Sequence, residues 1–195
     1  KTVTLINNGS SLINGFSLNE SQNFTLDSIY DQIMLMKRLG SNFWVEVSRT
    51  DNLTNPGARV YNNANISIPS GGLGTRVTFN SERFDNGNVH STSSNTSRLT
   101  APASGVYKID FNADLAANAA GYRQTWIKVN EVTVVANQSF DGPDIVGSNY
   151  VMSTLVKLNA GDYIEVWVFQ NSGVSLNLVY SPQWSPEFSM VKVSN

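Results

Sequence analysis

Apolar and polar positions alternate along most of this chain in short runs separated by turn residues. The clearest run is 106–113, where Tyr107, Ile109 and Phe111 fall on one side and Lys108, Asp110 and Asn112 on the other. A period of two is that of a half-buried antiparallel strand. Pro102 and Gly105 bracket a turn just before it, so 98–100 and 106–111 read as two strands joined by a corner. The same pattern predicts strands at 58–61, 65–68, 75–79, 97–100, 106–113, 122–130, 132–138, 148–158, 163–170, 175–180 and 187–194. Many short strands at roughly 8–12-residue spacing, with turn clusters between them, indicate a β-sandwich or jelly roll.

Upstream, 2–6, 11–16, 24–26 and 43–47 alternate in the same way, and 29–39 carries Ile29, Ile33 and Met36 near helical spacing. Asp27-Ser28 suits a helix start. A strand is the preferred reading of 29–39, because G-S-N-F-W-V-E-V continues it as a hairpin whose apolar residues need a partner. The polar T-D-N-L-T-N-P-G at 50–57 marks a boundary between a small β-rich N-terminal module, 1–55, and a larger domain, 56–195. So short a β module buries little by itself, which points to self-association.

Leu99, Pro102, Gly105, Tyr107 and Phe111 match an apolar-x-x-P-x-x-G-x-Y-x-F pattern, 156–166 contains L-N-A-G-D-Y-I-E-V, and Phe188–Val193 closes with F-S-M-V-K-V. With these motifs, 58–195 resembles the complement globular head, a trimeric jelly roll of the tumour-necrosis-factor superfamily. Cysteines and a longer aromatic ending, usual in complement heads, are absent here; that departure favours the microbial and viral branch. Asn23–Leu26, Ser28, Tyr30-Asp31, Ile33, Leu35-Met36, Asn42 and Trp44–Arg49 resemble a segment common near the ends of bacteriophage tail fibres and tailspikes. The resemblance implies an all-β jelly-roll homotrimer whose inner sheet lines a threefold axis. The interface residues expected from it are Tyr107, Phe111, Tyr150, Met152, Phe188 and Met190. The strand 148–158 is apolar on both faces, with Val151 and Leu155 on the second, which fits burial against a neighbouring subunit.

Composition narrows the chemistry. Charged residues make up 14% of the chain and the net charge is −2, so charge suggests neither a nucleic-acid nor a membrane-surface partner. Cys is absent, which excludes a disulfide scaffold and thiolate metal sites. No apolar run reaches the ~18 residues of a membrane span. Lys1 opens directly into a strand-like T-V-T-L-I without a leader peptide, so an upstream fibre or spike chain is expected. His90 is the only histidine and sits in a Ser/Asn-rich loop, where it reads as an exposed side chain and gives no triad or two-His metal site. Asp141 and Asp144 in F-D-G-P-D favour local turn hydrogen bonds, with calcium as the functional alternative and no other cofactor expected.

If the topology implied by the resemblance holds, both ends of the chain lie at a base. The loops near 85–96, 117–121, 139–147 and 171–186 then gather at the opposite apex. The last loop carries Tyr180 and Trp184 among prolines, flanked by Asn171 and Gln183. Aromatic faces beside amides suit a sugar surface, and the alternative is that the rings plug the end of the sandwich. Asp141 and Asp144 complete the candidate receptor-binding set. The expected function is a non-enzymatic, homotrimeric distal knob of a bacteriophage fibre or spike that binds a bacterial surface glycan or protein as part of the virion. A trimerisation cap or head decoration fibre without a receptor, and a secreted bacterial adhesion protein, are the alternatives.

Overall fold

The computed structural model describes residues 3–5, 14–17, 24–26, 32–39, 42–50, 55–142 and 147–194, all as strands, turns and extended segments. The chain divides into two compact units, Lys1–Thr54 and Asn55–Asn195.

In the first unit, β1 (Val3–Leu5) pairs antiparallel with β3 (Phe24–Leu26). The strand β5 (Asn42–Thr50) lies between β2 (Asn14–Ser17), which is parallel to it, and β4 (Gln32–Lys37), which is antiparallel. Helical spacing within 29–39 thus yields to hairpin pairing. Met34 and Met36 are each more than 60% exposed, and Trp44 and Val47 are exposed as well. Met36 lies opposite Val45 and Trp44 opposite Lys37, so exposed apolar side chains occur on both faces of this small sheet.

The second unit comprises β6 (Gly57–Tyr61), β7 (Ile66–Ile68), β8 (Thr75–Arg76), β9 (Ser81–Asn86), β10 (Leu99–Thr100) and β11 (Gly105–Leu115). It continues with β12 (Tyr122–Val129), β13 (Thr133–Asp141), β14 (Ser148–Leu158), β15 (Tyr163–Gln170), β16 (Leu176–Leu178) and β17 (Glu187–Ser194). The first sheet runs β9-β6-β17-β11, with β14 on the other edge of β11 and β16-β7 extending the far end of β11. The second runs β10-β15-β12-β13, with β8 against β15. Every neighbouring pair in both is antiparallel.

Burial follows the alternation. Along β11 the residues Tyr107, Ile109, Phe111 and Ala113 are buried, while Lys108, Asp110, Asn112 and Asp114 face outward and keep water contact. Successive side chains on a strand point to opposite faces, so one face of β11 can fill the core while the other stays polar. The core joins this face to Val60, Met152 and Met190 of the same sheet and to Ile127, Ile164, Val166 and Val168 of the other. Phe188 stacks on Phe79 and meets Phe111 edge-on.

Tyr107, Phe111, Tyr150, Met152, Phe188 and Met190, expected at a subunit interface, are placed instead inside one protomer, none more than 6% exposed. The reason is the same alternation: closing the sandwich consumes this face. The outward face of β11, β14 and β17 is what remains for a neighbour, and on it Val151 is 70% and Leu155 64% exposed.

Pairing registers also sort the loops into two ends. Leu115 lies opposite Ser148, and Arg123 opposite Gln170. The connections 62–65, 69–74, 116–121, 171–175 and 179–186 gather there, together with Asp141, Gly142 and Gly147, through backbone bonds such as Gly142 N to Gly121 O and Gly71 N to Gln170 O. At the other end, Lys192 N donates to Pro56 O and Ser194 lies opposite Val106, so the domain is entered and left on one side. The loop 87–98 belongs to this entry end, not to the apex where the sequence places 85–96. The cause is β9, whose S-E-R-F-D-N carries almost no apolar signal yet pairs with β6, setting Asn86 opposite Gly57. One extra strand reverses the chain direction and moves the loop to the opposite end.

Candidate functional site

The end opposite the entry side is built around Arg123. This side chain is fully buried, and its guanidinium donates from Nη1 to Ala120 O (3.0 Å) and Tyr122 O (3.2 Å) and from Nη2 to Asn118 O (2.8 Å). Three carbonyls of one connection thus converge on one cation, which shapes 118–122. Gly142 closes over them: a Cβ there would strike Asn118 O and meet Arg123 Nη2 at 3.0 Å.

Tyr122 lies in the corner so formed. Gly121 turns the chain with φ +69, in the left-handed region that glycine adopts without steric cost, and a side chain there would strike Asn171. The Tyr122 amide donates to Asn171 Oδ1 (2.6 Å), and Tyr122 lies opposite Asp141 in the β12–β13 ladder. The Tyr122 ring is 42% exposed and tilts against Phe169 at 5.2 Å; Phe169 leads to Trp126 at 6.4 Å. Alongside, Gln124 donates to Asn137 Oδ1 (3.1 Å), giving a row of aromatic faces edged by amides.

A second group sits on the β16–β17 connection. Tyr180 N donates to Asn65 Oδ1 (2.7 Å), Trp184 N to Ser181 O (3.2 Å), and Asn112 Nδ2 to Trp184 O (3.2 Å). The Ser185 hydroxyl donates to Val179 O and accepts from Asp114 N. Tyr180 and Trp184 are half-buried, whereas Gln183 is exposed.

The predicted receptor residues therefore separate. Asn171 and Asp141 flank Tyr122 on either side of β12; Tyr180, Gln183 and Trp184 occupy a turn stitched down by backbone bonds; Asp144 lies outside the described residues. Among the described residues no cluster of three acidic or histidine side chains could hold a metal ion. Sequence reasoning missed Tyr122 and its neighbours. The signal was the run Y-R-Q-T-W-I-K-V, whose outward positions are Tyr122, Gln124 and Trp126. His90 is not the exposed side chain expected: its imidazole is buried, with Nδ1 2.8 Å from Glu82 Oε1 and Nε2 3.2 Å from Thr96 O.

Electrostatics at the apex are set by burial. Desolvation pushes Asp114 above the usual carboxylate range and lowers the Arg123 guanidinium. On the outward face of the first sheet, Glu187 is almost fully buried beneath Arg59 and Arg83, which bond its two oxygens. Beside it a groove of about 400 Å³ is lined by Arg59, Asp110, Asn112, Val151, Ser153 and Glu187, among others.

No protein-family model matches the chain, and no curated protein sequence matches it. Among solved structures, the crystal structure of murine APRIL at pH 5.0 superposes with a TM-score of 0.54 at 14% identity, covering 72% of this chain and 100% of that one. Eiger TNF from S. frugiperda superposes with a TM-score of 0.52 at 10% identity, covering 72% of this chain and 94% of that one. The fold is a TNF-like jelly roll. At these identities the likeness carries the fold alone.

Proposed function

We propose that this chain is a non-enzymatic, homotrimeric distal knob of a bacteriophage fibre or spike, which attaches through its Arg123-braced end to a glycan or protein of the bacterial surface. The observation that carries the reading is the Tyr122 corner. An exposed aromatic ring, the Asn171 amide and the Gln124–Asn137 pair stand together at the end opposite the chain's entry and exit. A flat apolar face with amides at its edge stacks on a sugar ring and bonds its hydroxyls. Trimer formation is supported by the exposed Val151 and Leu155 on the outward sheet face and by the exposed Met34, Met36 and Trp44 of the first unit. The resemblance of 23–49 to bacteriophage fibre endings supplies the virion setting.

The test is adsorption of the intact chain to a panel of bacterial cells and to a glycan array, with mass checked by light scattering. Saturable binding that Tyr122→Ala and Asn171→Ala each reduce at least tenfold, with the trimer retained, is the expected result. A trimer that adsorbs to no surface overturns the receptor reading. It favours the structural cap, a role in keeping with the half-buried, backbone-stitched Trp184 turn.

A further inference from the structure

Beneath the loops of the recognition end, the interior of the sandwich holds a positive charge that no described carboxylate neutralises. Arg123 is fully buried, and it forms no ion pair with any described Asp or Glu. Its two Nη atoms are taken by loop carbonyls, but its Nε–H meets no protein acceptor. Other unanswered polar atoms face the same interior. Thr125 is the next inward residue of β12, and Tyr150 and Ser148 are inward residues of β14. Thr125 Oγ1, Tyr150 Oη and Ser148 Oγ are all buried without a protein hydrogen bond of normal geometry, and the Thr125 and Tyr150 hydroxyls lie close to one another.

Burial pushes the Tyr150 hydroxyl up to about 12, while the nearby Thr125 hydroxyl and the Arg123 charge pull in the other direction. The phenol is therefore neutral at ordinary pH and keeps its proton for donation. Buried polar atoms in folded proteins are almost always bonded, so four orphans on adjoining inward positions call for a common partner. Their chemistry specifies it: one N–H and three O–H groups are all able to donate, and the formal charge among them is positive. A metal cation is repelled by such a set. A water molecule can accept from only some of the donors and leaves the charge uncompensated. A small monovalent anion accepts from every one of them and neutralises the guanidinium.

We propose that Arg123, Thr125, Tyr150 and Ser148 form an internal binding site for a chloride-sized monovalent anion. The ion counters the Arg123 charge and so stabilises the cation that gathers the Asn118, Ala120 and Tyr122 carbonyls. Occupancy thereby braces the apical loops, whatever those loops recognise.

The experiment is thermal unfolding of the full chain in sodium chloride, sodium bromide and sodium gluconate at matched ionic strength. Crystals exchanged into bromide locate the ion by anomalous scattering. The melting temperature is expected to rise saturably with chloride or bromide and not with gluconate, a bulky anion, as mass action on the folded state requires. A bromide peak is expected beside Arg123 Nε. Tyr150→Phe and Thr125→Val, near-isosteric and chosen because loss of Arg123 itself risks the fold, should each weaken the chloride midpoint by about tenfold, the scale of one charge-assisted hydrogen bond. Equal melting in chloride and gluconate, or a bromide map without a peak at Arg123, would show that water alone fills the site and overturn the proposal. A chloride response that neither variant alters would place the ion elsewhere and overturn it equally.

Discussion

Replacing Phe188 by alanine separates a ring that holds one protomer together from a ring that holds protomers to each other. Phe188 is 1% exposed, its ring stacks on Phe79 with centroids 5.5 Å apart, and it meets Phe111 edge-on at 6.3 Å. Truncating a buried phenylalanine costs about 3–5 kcal/mol in lost transfer energy and cavity formation. Two aromatic pairs, each worth roughly 0.5–1.5 kcal/mol beyond their area, place this site at the upper end, about 4–5 kcal/mol. For a domain of this size each kcal/mol shifts the melting temperature by about 2–4 °C, so a fall of roughly 10–15 °C is expected. The assay is unfolding in urea at several protein concentrations, since dissociation makes apparent stability concentration-dependent. Light scattering below the transition reads the mass, and Phe188→Leu, which keeps most of the volume, should recover more than half of the loss. A loss under about 1 kcal/mol together with a weakened oligomer would mean that the ring faces a neighbour, and the core assignment would fail.

Two further outcomes follow from the apex and the entry end. Gly121→Ala should cost about 1–2 kcal/mol from its left-handed conformation alone. Because the new methyl group also meets Asn171, receptor adsorption should fall more than stability does, and equal adsorption by wild type and variant would dissociate the Asn171 amide from binding. The Asp162 carboxylate accepts from Asn130 Nδ2 (2.9 Å) and from Asn159 N (2.8 Å), which hold it below the usual carboxylate range. A depressed folded-state pKa contributes stability above the unfolded value, near pH 4, and that contribution is lost as pH falls through the folded value. Asp162→Asn should therefore melt below wild type at pH 7 and converge with it in acid; a gap that stays constant with pH would refute the linkage.

The alternating strands were legible because their period is imposed by the core: 106–113 and 148–158 could be read from apolar spacing alone. The strand Ser81–Asn86 was not, because an edge strand bonded through its backbone to β6 needs no apolar side chains. That omission placed the 87–98 loop at the wrong end, since topology compounds every missed reversal. The site was legible in part. Asn171 and Asp141 were singled out by residue type in turns, and they flank Tyr122 from the two strands on either side of β12. Tyr122 and Arg123 were hidden inside a run that reads as ordinary strand. A buried arginine bonded only to carbonyls has no sequence signature, because its partners are backbone atoms supplied by folding. Tyr107, Phe111, Tyr150, Met152, Phe188 and Met190 were read as a trimer interface and lie instead in the core of one protomer, because apolar spacing cannot say whether a residue is buried within a chain or between chains.

The account depends most on the outward face of β14 joining copies of the chain. Leu155 is 64% exposed in one protomer, and covering the rest of its side chain contributes about 1–2 kcal/mol per copy to assembly. Light scattering of the intact chain at micromolar concentration should give three times the 21.3 kDa of one chain. Leu155→Asp should give the single-chain mass with the jelly roll still folded. A wild-type chain that runs as a monomer, or a trimer indifferent to Leu155→Asp, would contradict the assembly proposed here.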